Sequence, residues 1–188
     1  MVPKAMLALM AVMGITSTAA NGATVAKYPT VEDTSFASRD GTRVLQEEIT
    51  IDAPASTLWR AYIDPVEFAR WNAPVSSMDL RVGGIMEASY DPKAKLGDPG
   101  NIRNQIITFV PERMISFRNV AAPRNFSAAA VFQRTVTTVL FIPLDEGRTR
   151  VVVSTSGWQR GATSDQLIGF FRDANAQLLH QMKLTYGK

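Results

Sequence analysis

The sequence predicts an α+β fold: a curved antiparallel sheet of about seven strands, two short helices after the first strand, and one long C-terminal helix. Three observations carry this. Apolar residues alternate with period two in several short runs joined by brief, turn-rich links, the mark of antiparallel strands. Asp64 and Pro65, with Glu67 three residues after the aspartate, open a helix by side-chain capping and a pre-set φ. From Thr163 to Gly187 the apolar residues recur at helical spacing without a break.

The first residues stand apart from this plan. Lys4 is followed by an apolar run, AMLALMAVMGI (5–15), too short to span a bilayer, and then by small residues, TSTAANGATVA (16–26). A basic start, a short apolar core and small residues at the cleavage positions define a secretory signal peptide. Cleavage after Ala19, Ala20, Ala23 or Ala26 all fit, so residues 1–26 are expected to be removed and the product to be periplasmic or secreted, with no stable membrane span. Residues 27–41 are polar and aperiodic and read as a flexible lead-in, which leaves residues 42–188 as one domain.

Residues 43–52 alternate, with Leu45, Ile49 and Ile51 on one face, and form the first strand. Residues 53–63 open with a proline near the first turn and carry Leu58, Trp59 and Tyr62 at helical spacing; residues 64–71 supply the second short helix. Residues 78–82 and 85–91 flank Gly83–Gly84 and read as a hairpin with a two-residue turn. Residues 101–110 and 114–120, then 132–143 and 148–158, give two further strand pairs. The last helix, with Thr163 and Gln166 as a capping box, runs about 22 residues, or roughly 33 Å at about 1.5 Å per residue. That is long enough to cross a sheet, and a curved sheet around such a rod commonly leaves a cavity between the two.

Composition narrows the chemistry. The chain has no cysteine and a single histidine, His180. At about 100° per residue, Leu167, Phe171, Ala174, Leu178 and Met182 fall within about 80° of each other, and His180 lies roughly opposite. His180 is therefore expected on the solvent face. This removes histidine-based triads and the usual zinc sets, so no catalytic residue, metal or cofactor is assigned. The formal charge is only +3, and the arginines are scattered without a basic run, which argues against a nucleic-acid partner.

Ordered motifs point further. ITIDAPASTLWRAYIDPVEFARWNAP (49–74), DLRVGG (79–84) and FVPERMISF (109–117) follow one another as strand, Ala53–Pro54 helix start, Trp71, then Asp79, Arg81, Gly83 and Gly84. Over about residues 43–187 the chain resembles the SRPBCC/START-like superfamily, and within it is most similar to the heat-shock-protein ATPase activator homologue-like branch. The resemblance implies a helix-grip fold and a pocket for a small, mostly apolar molecule. The superfamily includes carriers, polyketide cyclases and co-chaperone-like domains, so fold alone does not fix function. A signal peptide departs from what a cytosolic ATPase activator would carry.

Alternation proposes the lining of that pocket. Met86, Ala88 and Tyr90 are expected to face inward, as are Val136, Thr138 and Leu140 on one strand and Val151, Val153 and Thr155 on the next. The helix supplies Phe171, Asn175, Leu178 and Met182. Asn175 needs a partner, either a strand hydroxyl such as Thr138 or a ligand. Arg134 is either a solvated strand-end residue or a partner for a ligand carboxylate at the mouth. Trp71 is placed to close one end, with its N–H tied to backbone. Glu87 is out of phase and expected to be exposed, and Asp79 and Arg81 are expected to pair across the hairpin. The loops at 92–101 and 121–130 read as lids or solvated connections. The function expected is the binding of a small hydrophobic molecule; the alternatives are a polyketide cyclase- or dehydratase-like enzyme and a cell-envelope protein-interaction domain.

Overall fold

The computed structural model describes residues 27–123 and 126–188; residues 1–26, where a signal peptide is expected, lie outside the described residues. In chain order the elements are β1 (Glu32–Asp33), β2 (Phe36–Ala37), β3 (Arg43–Ile51), α1 (Ala55–Ile63), α2 (Pro65–Phe68), β4 (Val75–Met78), β5 (Ile85–Ser89), β6 (Ile102–Val110), β7 (Met114–Ala121), α3 (Ala129–Phe132), β8 (Val136–Pro143), β9 (Thr149–Trp158) and α4 (Ala162–Tyr186). The strands form one antiparallel sheet in the order β1-β3-β9-β8-β7-β6-β5-β4, with β2 also on β3. β4 to β9 are thus a meander, and β3 joins beside its last strand. The helices α1 and α2 carry the chain from β3 at one side to β4 at the far edge. The α+β plan read from the sequence is the fold observed.

Local differences have physical reasons. The lead-in is not free: Glu32 pairs with Glu48 and Phe36 with Val44, so two short strands cover the edge of β3. Two-residue strands carry no periodicity, which is why the alternation test passes over them. The hairpin after α2 turns through a longer loop. β4 ends at Met78, Asp79 N–H donates to Ile85 O, and Gly84 N–H donates to Arg81 O. A Cβ on Gly84 would sit 2.0 Å from Asp79 O, and Gly83 holds φ at +81°, so both glycines are fixed by this loop. Asp79 and Arg81 do pair, at 2.9 Å, but within the loop and in solvent rather than across strands. Residues 132–135 are helix end and turn, not strand.

α2 is capped as the sequence indicates: Asp64 Oδ1 accepts from Val66 N–H at 2.8 Å and Glu67 N–H at 3.4 Å. α4 is not. It starts at Ala162 behind Gly161, with no side-chain cap, and Thr163 lies inside its first turn. Its 25 residues give a rod of about 37 Å. The C-terminal end is tied down. Tyr186 Oη lies 2.8 Å from Glu67 Oε2 and 3.0 Å from Glu67 O, donating to this one residue of α2, and Lys183 Nζ donates to Thr50 O at 2.9 Å. At the other end Arg43 pairs with Asp165, and Phe171 stacks on Phe132 at 4.7 Å between ring centroids.

Buried side chains gather in two groups. The larger joins Ile49, Ile51, Leu58, Trp59, Trp71, Ile106, Val139, Phe141, Leu179 and Met182; the smaller joins Leu45, Trp158 and Leu167, with Ala128. The helix is thus fixed to packed cores near both ends.

Candidate functional site

Between α4 and the inner face of the sheet lies a cavity of about 1030 Å³. That is at the upper end of what small-molecule sites offer. Its lining follows from the strand register. Ser76 and Met78 of β4 stand opposite Ala88 and Met86 of β5, and these stand opposite Ile102 and Asn104 of β6. Farther round, Thr137 faces Thr155 and Val139 faces Val153 across β8 and β9. All ten line the cavity. From α4 it is lined over Thr163 to Met182, a length of roughly 28 Å at about 1.5 Å per residue.

The sequence-derived candidates divide cleanly. Trp71, Met86, Ala88, Tyr90, Val153, Phe171, Asn175, Leu178 and Met182 all line the cavity. Trp71 Nε1 donates to Ala61 O at 2.9 Å, the backbone tie expected of it. Thr138 and Leu140 point the other way: Thr138 Oγ1 and Ser116 Oγ form a hydrogen bond at 2.7 Å, and Leu140 lies opposite Met114. The strand VTTVLFIP mixes apolar and hydroxyl residues on both faces, so its alternation does not set its phase, and a one-residue slip exchanges the faces. Thr137 and Val139 take the inward places. Arg134 is exposed in the turn ahead of β8 and does not reach the cavity.

Asn175 finds neither Thr138 nor open space alone. It reaches Glu47, which is 1% exposed and hydrogen-bonded by the Asn175 side chain. Glu47 shares the phase of Leu45, Ile49 and Ile51 on β3, so alternation alone would have placed this carboxyl under the helix. Burial pushes its pKa up to about 8, against the hydrogen bond from Asn175. Its Oε2 is buried without a partner among the described residues.

Glu87 is likewise buried rather than exposed, at 9%. It accepts from Gly97 N–H and Asn101 Nδ2, both at 2.6 Å, and pairs with Arg103 at 3.4 Å. Burial raises its pKa, but the bonds from Asn101, Gly97 and Arg103 outweigh it and hold the carboxyl below its ordinary value. The 92–101 loop is therefore pinned by this carboxylate and is no lid. The other loop does border the cavity: Ala122, Pro123, Phe126, Ser127 and Ala128 line it, as do Phe170 and Phe171.

Several lining residues carry signals that sequence reading passed over. Tyr62 sits one helical turn beyond Leu58 and Trp59, and packs on Phe68, Trp71 and Phe141 at 5.8–6.0 Å. Tyr90 Oη donates to Asn72 Oδ1 at 3.2 Å. Burial raises the pKa of both phenols, that of Tyr90 to about 12, so each stays a neutral hydroxyl. His180 is absent from the lining, as its place on the helix wheel requires, yet it is half-buried rather than free, because Tyr28 of the lead-in covers it at 5.2 Å between ring centroids.

Comparison with known proteins places this geometry. No curated protein matches the chain. Among solved structures, the Aha1 dimer from Colwellia psychrerythraea is similar with a TM-score of 0.61 and 13% identity, covering 77% of this chain and 96% of that one. Protein MLL2253 from Mesorhizobium loti gives 0.59 and 22%, covering 76% and 95%. CalU16 from Micromonospora echinospora gives 0.57 and 18%, covering 82% and 84%. At these identities the likeness establishes the fold, a sheet gripping a C-terminal helix. The family described as Activator of Hsp90 ATPase homolog 1-like protein matches residues 52–187, so the chain belongs to that branch of the SRPBCC superfamily.

Proposed function

We propose that this is an exported binding or carrier protein that holds a small, mostly apolar molecule between its sheet and α4. The observation that carries this is the cavity itself: about 1030 Å³, walled chiefly by aliphatic and aromatic side chains. Removing about 300 Å² of apolar ligand surface from water gives roughly 7–8 kcal/mol gross at about 25 cal/mol per Å². Lost freedom offsets several kcal/mol of this, so affinities near micromolar are expected. The carboxylates favour binding over acid–base chemistry. Glu87 is committed to Gly97, Asn101 and Arg103, and Glu47 lies behind Asn175.

The test is native mass spectrometry of protein purified from its own source, with titration of the neutral dye N-phenyl-naphthylamine. A retained small molecule or saturable dye fluorescence supports the reading; neither, in folded protein, sinks it. Export rests on Lys4 and the run at 5–26, and cell fractionation checks it: a chain processed before Tyr28 and found outside the cytosol is expected. A second reading, a protein-interaction domain, draws on the family's description as homologues of an ATPase activator. Cytosolic full-length protein without any small-molecule binding would favour it.

A further inference from the structure

Resting on the cavity-binding reading, we propose that the ligand is a neutral molecule bearing a carbonyl oxygen, which the donor groups on the β4–β6 and α1–α2 wall receive, while its apolar body lies toward α3 and Phe171. Two observations lead here. The first is charge: the described lining residues include no lysine, arginine or histidine, and their one carboxylate, Glu87, is already bonded elsewhere. An anion entering this space would leave its solvation and meet no cation, an expensive arrangement. A neutral ligand has no such cost.

The second is the direction of the unfilled hydrogen bonds. Asn119 Nδ2 is placed by two backbone carbonyls, Arg103 O at 3.1 Å and Ala121 O at 2.9 Å, so its N–H groups are fixed as donors. Asn104 Oδ1, at 3.1 Å, is a third acceptor that shares these two hydrogens. Asn104, which lines the cavity, therefore spends its acceptor on Asn119, and its own N–H donors have no partner among the described residues. Asn72 repeats the pattern: its Oδ1 receives Tyr90 Oη, leaving its amide donors unused. The Tyr62 hydroxyl makes no hydrogen bond to described residues, and Ser76 Oγ is buried without one. Buried polar groups are rarely left unpaired. Asn119 Oδ1 is a buried acceptor without a partner among the described residues but lies outside the lining, whereas the unused groups on the lining, the amides of Asn104 and Asn72 and the hydroxyls of Tyr62 and Ser76, can all donate. A ketone, quinone or enone oxygen offers two lone pairs and no charge, which is what is missing.

Three phenanthrene probes of matched shape test this by displacing N-phenyl-naphthylamine at pH 8: the acetyl, the ethyl and the carboxylate derivative. One or two net hydrogen bonds correspond to about a three- to tenfold gain, so acetylphenanthrene should displace the dye at about three- to tenfold lower concentration than ethylphenanthrene. It should also outcompete the carboxylate by at least about tenfold. Asn104→Leu and the more conservative Tyr62→Phe should each shrink the ketone's advantage over the hydrocarbon, read within each variant as the ratio of the two displacement concentrations. If Asn104→Leu does not fold, Tyr62→Phe carries the same comparison. Dye binding with equal affinity for ketone and hydrocarbon, or with the carboxylate bound best, overturns this inference and leaves the cavity reading standing. So does an undiminished ketone preference in folded variants. No binding of dye or probes by the wild type removes the cavity reading, and this inference with it.

Discussion

At the scale of single residues, Glu47 is the group whose chemistry departs most from its surroundings. It is 1% exposed, faced by Asp33, Arg172, Asp173 and Asn175, and Arg172 is already paired to Asp33 at 2.8 Å. With its pKa raised from 4.5 to about 8, the folded chain keeps a proton that the unfolded chain releases. Raising the pH therefore favours unfolding: the contribution of this group is complete below about 4.5 and is lost progressively toward pH 8. Glu47→Gln keeps a neutral hydrogen-bonding side chain at every pH. Urea midpoints from pH 5 to 9 should fall for the wild type and stay flatter for the variant, with the variant the more stable at pH 9. Parallel curves would show that Glu47 ionises freely. His180 is the opposite case. It lies off the cavity under Tyr28, so His180→Ala should leave dye binding unchanged and cost about 0.5–1 kcal/mol through the lost ring contact. A loss of binding in folded His180→Ala would mean that the helix is rotated from its described position.

Among the elements, α4 decides whether the cavity stays open. Its buried apolar anchors are Leu167 toward one end and Leu179 and Met182 toward the other, so its position depends on its ends. The C-terminal attachment concentrates on Tyr186, whose single hydroxyl hydrogen is shared between Glu67 O and a Glu67 carboxylate oxygen that Arg70 also holds at 2.8 Å. Tyr186→Phe removes this shared bond and leaves the ring packing in place. A cost of about 1–2 kcal/mol is expected, with faster amide exchange across residues 180–187 than across β8 and β9. Uniformly unchanged exchange would place the anchor elsewhere, in Lys183 or the apolar contacts. The elements also show what patterning reveals. α4 was legible because its apolar residues recur at helical spacing, and on β9 Val151, Val153 and Thr155, read as inward, do line the cavity. β8 was not, because hydroxyls and apolar side chains occur on both of its faces. β1 and β2 escaped because two residues make no period, and the Asp79–Gly84 loop because a pair of glycines reads as a tight turn unless the carbonyl of Asp79 is seen against Gly84.

For the whole molecule, the question is whether this interior is a binding site or a core awaiting compaction. The architecture was readable from sequence because it is the sum of periodic elements. The polar wall was not, since Tyr62, Asn72, Ser76 and Asn104 come from α1, the α2–β4 link, β4 and β6 and meet only after folding. Leu178 tests the interior as a whole. It lines the cavity near the centre of the helix's apolar stripe and is only partly buried, while its neighbour Leu179 also borders the cavity but is 3% exposed and belongs to the packed core. A tryptophan at 178 adds volume toward the cavity; the same change at 179 would press on the buried cluster to which Leu179 belongs. In a filled core such overpacking costs about 1–3 kcal/mol or more. In a cavity of about 1030 Å³ the added ring has room. Leu178→Trp should therefore melt within a few degrees of wild type while binding N-phenyl-naphthylamine far more weakly, and Leu179→Trp should lose stability outright. Equal destabilisation of both variants, with no dye binding by the wild type, would mean that α4 closes onto the sheet in solution and that the volume is not held open for a ligand.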